Sequence, residues 1–143
     1  MTERIAGSRI GADGALRVAA LAFAAGFSVH ALDHLRRGLD ASPDRVIAVG
    51  TVQGLFAVLA VWMAVTGRRG APVAAAVVGF GSALLFTYGH VLPVSLDSFV
   101  SPPRTNVTWF SWVTAAAEIG TGVAFGIAGL RALAPGSGRA APS

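Results

Sequence analysis

The chain has 143 residues, 54% of them hydrophobic and 13% charged, with a formal net charge of +4. A soluble domain carries roughly 25% charged residues, and a soluble core of this size cannot hide so many apolar side chains, so an ordinary soluble globule is excluded. All the basic residues are Arg and Cys is absent, which removes disulfides, thiolate metal ligands and cysteine nucleophiles. The arginines are scattered and form no stripe, so nucleic acid is not an expected partner.

Segment 1–14 is polar and contains Arg4, Arg9, Glu3 and Asp13, which predicts a short, poorly ordered leader. A basic start before an apolar run is also how a signal peptide begins, but no Ala-x-Ala site follows. Stretches 46–67, 70–96, 105–117 and 119–130 hold no Asp, Glu, Lys or Arg. Each of the first two, and the last two joined across Glu118, supplies the roughly 20 residues that cross a hydrocarbon layer about 30 Å thick. The run 18–32 is shorter and spans if His34, Arg36 and Arg37 lie at the headgroups.

The predicted fold is therefore all-α, an integral membrane bundle of four transmembrane helices, up-down-up-down, with no soluble domain. The helices are expected over about 15–37, 43–66, 72–92 and 107–134, with a disordered tail over 135–143. Gly38 is placed to stop the first helix. Ser42-Pro43-Asp44 puts a capping hydroxyl before a helix-opening proline. Pro72 opens the third helix and Pro93 ends it, and Thr105 or Asn106 can cap the fourth. Gly50 with Gly54 and Gly122 with Gly126 would let helices 2 and 4 approach their neighbours closely, or support self-association.

Arginine counting sets the orientation. Arg4, Arg9, Arg17, Arg68, Arg69, Arg131 and Arg139 share one side, against Arg36, Arg37, Arg45 and Arg104 on the other. That excess predicts both termini in the cytoplasm, in a bacterial cytoplasmic membrane, with Trp109, Trp112 and Tyr88 toward the outer interface and Trp62 toward the inner one.

Ionisable side chains within a bilayer are costly and usually functional. His30 and His34 are four residues apart and share a helix face, so their imidazoles stand side by side, a bite that can hold one metal ion. His90 or Glu118 would complete three ligands and leave a position open. Asp33 is a candidate carboxylate to orient a histidine. Gln53 is a further supporting polar group at similar depth, and Arg36 and Arg37 are candidate headgroup or anion contacts. Ser111, Thr114, Glu118 and Thr121 form one stripe in helix 4, and Gly79, Ala83, Phe86 and His90 another in helix 3. Haem held between His90 and a helix 1 histidine is a variant of the same reading, with Phe23, Phe27, Phe86 and Tyr88 able to flank the ring.

The expected function is binding of a transition metal ion, or haem, at a His/carboxylate site open to the outer face. One alternative is an accessory subunit of a larger membrane complex, in which these residues meet lipid, quinone or partner helices. Another is a proton-coupled transporter or channel working through Glu118 as a homo-oligomer. Headgroup chemistry and interhelical hydrogen bonds are the bland account of the same polar residues. No catalytic motif is present, neither GxSxG, HExxH nor a P-loop, so no enzyme activity is assigned.

With HALDHLRRG ending helix 1, HVLP ending helix 3 and SWVTAAAEIG in helix 4, the chain resembles small four-span membrane proteins of actinobacterial type. The resemblance implies the topology and no activity. Similarity to four-helix haem-binding units, such as the halves of haem A synthase, is one of architecture alone.

Overall fold

The computed structural model of the chain describes residues 2–95 and 97–134. It is all-helical among the described residues, with α1 (Thr2–Arg37), a short 3₁₀ turn (Leu39–Ala41), α2 (Asp44–Val65), α3 (Ala71–Phe86), which runs on as a π-helical turn (Thr87–Val91), and α4 (Trp109–Leu133). Among the described residues, four segments are long and apolar enough to cross a membrane: Asp13–Arg37, Asp44–Val65, Ala71–Val91 and Trp109–Leu133. The chain is a multi-pass membrane protein, a four-helix up-down-up-down bundle. Helical backbone begins at Thr2, where the sequence predicts a poorly ordered leader over 1–14. The predicted tail 135–143 lies outside the described residues.

The helix ends follow local chemistry. Gly38 takes a φ of 98° after Arg37, and its N–H donates to the carbonyl of His34, which closes α1 as the sequence predicts. Pro43 precedes α2, and no side chain caps that helix. The Ser42 hydroxyl lies instead 3.3 Å from His34 Nδ1. Thr108, and neither Thr105 nor Asn106, caps α4, in a reciprocal box with Ser111. Asn106 cannot do so because the chain reverses there with a φ of 54°; its side-chain amide donates to the Arg37 carbonyl at 2.8 Å and so caps the end of α1.

Packing is uneven. The most extensive interface is α3 with α4, followed by α1 with α4. The first is close because Gly79 meets Gly122 and Gly126: a Cβ on Gly79 would lie 2.6 Å from the Gly122 carbonyl oxygen. Phe23 stacks on Phe125 at 5.3 Å in the core, beside Ala20, Ala57, Ala60 and Ala75. The buried residues of α2 are Ala57, Ala60 and Ala64, all in its second half. Its first half has no buried residue, and only at its end do Gly54 and Gln53 meet Phe27 and Ser82. Gly50, expected at a close helix contact, has nothing within 4 Å of a Cβ built on it. The gap beside it forms two cavities of about 240 and 340 Å³ that share His34, Val46, Gly50 and Phe86 in their walls.

Candidate metal centre

Three histidines from two helices meet at the end of the bundle where α1 stops. His30 and His34 project from one face of α1, with ring centroids 4.9 Å apart. His90 comes from the π-helical turn that ends α3, where the Leu92 N–H donates to the carbonyl of Thr87 five residues back. Turns of this kind are frequent at functional sites. Here Phe86 and His90 stack at 5.8 Å and both are buried, on the stripe expected from the sequence. Each of the three histidines offers a ring nitrogen within 4.8 Å of the others, a group that could hold a metal ion.

The hydrogen bonds assign one tautomer. The Thr114 hydroxyl lies 3.0 Å from the Ser111 carbonyl and 3.3 Å from His30 Nδ1, so it can accept from that ring or donate to it. His90 Nδ1–H donates to the Asp97 carbonyl at 3.2 Å. With its Nδ1 protonated, neutral His90 has a bare lone pair on Nε2, 3.0 Å from His30 Nε2, which donates to it in one tautomer and turns a second lone pair toward it in the other. Two lone pairs at that distance repel unless a cation stands between or beside them. Two nitrogens bound at 2.0–2.1 Å to one tetrahedral ion would be roughly 3.3 Å apart, close to the distance found. The widest pair in the cluster must close by on the order of 1 Å to complete such a site.

The same geometry gives the haem variant no support from His30 and His90. Two axial imidazoles need on the order of 4 Å between coordinating nitrogens, twice a metal–nitrogen bond, with a macrocycle filling the plane between them. The His30 and His90 rings, with centroids 4.7 Å apart, leave no room for one.

The remaining candidates are distributed differently. Glu118 is wholly buried, with Oε2 4.0 Å from His30 Nε2, and neither carboxyl oxygen has a hydrogen-bond partner among the described residues. It stands beside the three-histidine group and not within it. Asp33 orients no histidine: its Oδ1 accepts from Arg36 Nε at 2.8 Å, because residue i+3 on the same helix face outreaches the neighbouring imidazoles. Arg36 also donates to the Asn106 carbonyl and the Ser111 hydroxyl, each at 3.0 Å. Arg37, expected at the headgroups, is 3% exposed and forms a two-bond ion pair with Asp97. The Gln53 amide donates to Ser82 of α3 and ties α2 to the bundle away from the histidines.

Asp97, Phe99, Ser42 and Thr114 complete the site. Asp97 lies in the loop after α3, and its carboxylate is 3.5 Å from His90 Nδ1. Phe99 stacks on the His90 ring at 4.4 Å, under the Arg37 guanidinium at 5.1 Å. In the sequence only Thr114 carries a signal, as a member of the α4 stripe. Asp97 and Phe99 belong to a loop whose fold no periodicity encodes.

Compared with protein-family models, curated proteins and solved structures, the chain matches none.

Proposed function

We propose that the chain is a transition-metal-binding protein of a bacterial cytoplasmic membrane, with both termini cytoplasmic and the metal held by His30, His34 and His90 near the outer face. The observation that carries this reading is the cluster of three histidines, each with a ring nitrogen within 4.8 Å of the others, in which the His30 and His90 Nε2 atoms lie 3.0 Å apart. Metal-ligating histidines almost always donate their second ring N–H to a carbonyl, carboxylate or water, which fixes the ring and raises its basicity. Here the Asp97 carbonyl is such a partner, and the Thr114 hydroxyl can be one. Neutral imidazoles suit divalent zinc, copper, nickel and iron, and three nitrogens leave a fourth position open. Glu118 stands beside that position with two free acceptors.

A subunit that only fills a larger complex, or a transporter that works through Glu118 alone, has no use for three imidazole nitrogens within 4.8 Å of one another. The seven arginines on the side of the termini and the α2–α3 turn, against four on the other, support the orientation.

Elemental analysis of detergent-purified protein that has met no chelator tests the reading. Close to one metal ion per chain is expected, falling to background in His90→Ala. Metal-free wild-type protein that also fails to take up zinc or copper on titration would end it.

A further inference from the structure

The end of the bundle gives the histidines little access to water. Phe99 covers His90 there, and the Arg37–Asp97 ion pair lies over Phe99. The open side is lateral, where the first half of α2 has no buried residue and the two cavities lie. Their outer walls are apolar, from Val46, Val49 and Leu85 among others, and Arg45 stands at the edge. Polar groups gather at the inner end: His34 and His90 in one cavity, His30, His34 and Glu118 in the other. Together the two reach the several hundred cubic ångströms of an ordinary small-molecule site, with the usual apolar lining and a few convergent polar atoms.

Glu118 points to the occupant. A wholly buried carboxyl group with both oxygens unpartnered is costly, and it lines the larger cavity. A hydrocarbon chain in the cleft would leave those oxygens orphaned, whereas a hydroxyl group would donate to one of them. The flat faces beside it belong to Phe27, Phe86 and the imidazoles, which favour an aromatic ring with positive edges. The half-exposed Val49 lines one cavity and Val52 lies near it on the exposed side of α2, so an apolar molecule can reach the opening from the bilayer.

We propose that the cleft between the first half of α2 and the rest of the bundle binds a lipid-soluble amphiphile with a phenolic head, the chemical class to which quinols belong, entering from the bilayer with its hydroxyl group against Glu118 beside the histidines. The inference goes beyond metal binding and depends on it only for any contact of the hydroxyl with a bound ion.

Binding of 4-decylphenol to the full chain in lipid nanodiscs tests it, with decylbenzene as the head-group control, on metal-loaded and chelator-stripped protein in parallel. Saturable binding near one per chain is expected, at least tenfold tighter for the phenol than for decylbenzene. Gly50→Leu should weaken the phenol at least tenfold by filling the cleft; because a Cβ at Gly50 meets only open space, that variant retains its fold. Glu118→Leu should weaken it similarly while leaving decylbenzene unchanged. Equal binding of the two probes would reduce the cleft to a lipid-tail groove and overturn the proposal, as would unchanged phenol affinity in Gly50→Leu or no saturable binding at all. Phenol binding to wild-type protein that never takes up metal would refute the metal centre and leave this inference standing. Metal uptake without phenol binding would do the reverse.

Discussion

Arg37 and Asp97, 60 residues apart in the chain, are joined by two hydrogen bonds of 2.8 and 3.3 Å, with both side chains 2% exposed. The pair clamps the loop after α3 onto the end of α1, and through it Phe99 is held against His90 while the Asp97 carbonyl meets His90 Nδ1. The loop thereby orients a ring of the proposed metal centre.

Removing one partner strands the other charge in a buried site, at a typical cost of about 3–5 kcal/mol. Arg37→Ala and Asp97→Ala should each lower the thermal unfolding temperature of the detergent-solubilised protein markedly. The double variant should fall well short of the sum of the two, because the second change removes a charge already stranded. Additive losses in that cycle would mean that the pair is not coupled.

Thr114→Val keeps shape and volume but removes the hydroxyl that lies 3.3 Å from His30 Nδ1. With no hydroxyl there, that ring is free to change tautomer and rotate, and partners of this kind are worth roughly 10–100-fold in metal affinity. Competition against a chromophoric chelator should register a loss in that range. Wild-type affinity would show that His30 needs no such support.

In the middle of α3, Gly79→Ala should destabilise without touching the histidines. Its Cβ would lie 2.6 Å from the Gly122 carbonyl oxygen and the Gly126 nitrogen, both backbone atoms that cannot swing aside. Forcing α3 from α4 costs about 1–3 kcal/mol. Denaturant unfolding should show that loss, whereas the metal content of the protein that remains folded should stay at the wild-type level.

The spans were legible because stretches such as 46–67 are long and free of charge, and only a bilayer tolerates that. His30 and His34 were legible as a pair because four residues make one helical turn. Two polar residues of α1 have partners other than those their local setting suggests. Arg37 at a helix end looks like a headgroup contact, yet Asp97 buries it. Asp33 beside His34 looks like its orienting carboxylate, yet Arg36 one turn on takes it. Gly50 illustrates a different limit: a glycine is equally suited to a tight helix crossing and to the wall of a cavity, and α2 uses it as the second.

Glu118 separates structural from functional cost. Both carboxyl oxygens are buried and unpartnered, so the folded protein carries the desolvation of a polar group with no compensating bond. Glu118→Leu replaces it with an apolar side chain of similar reach and should stabilise the metal-free protein by about 1–3 kcal/mol, the usual cost of an unsatisfied buried polar group. Metal uptake should persist, because the three imidazoles remain. Unfolding of chelator-stripped protein, read beside metal content, checks both halves. A loss of stability would mean that the carboxyl group has a structural partner, and a loss of metal as complete as in His90→Ala would make Glu118 a fourth ligand instead of a neighbour of the open position.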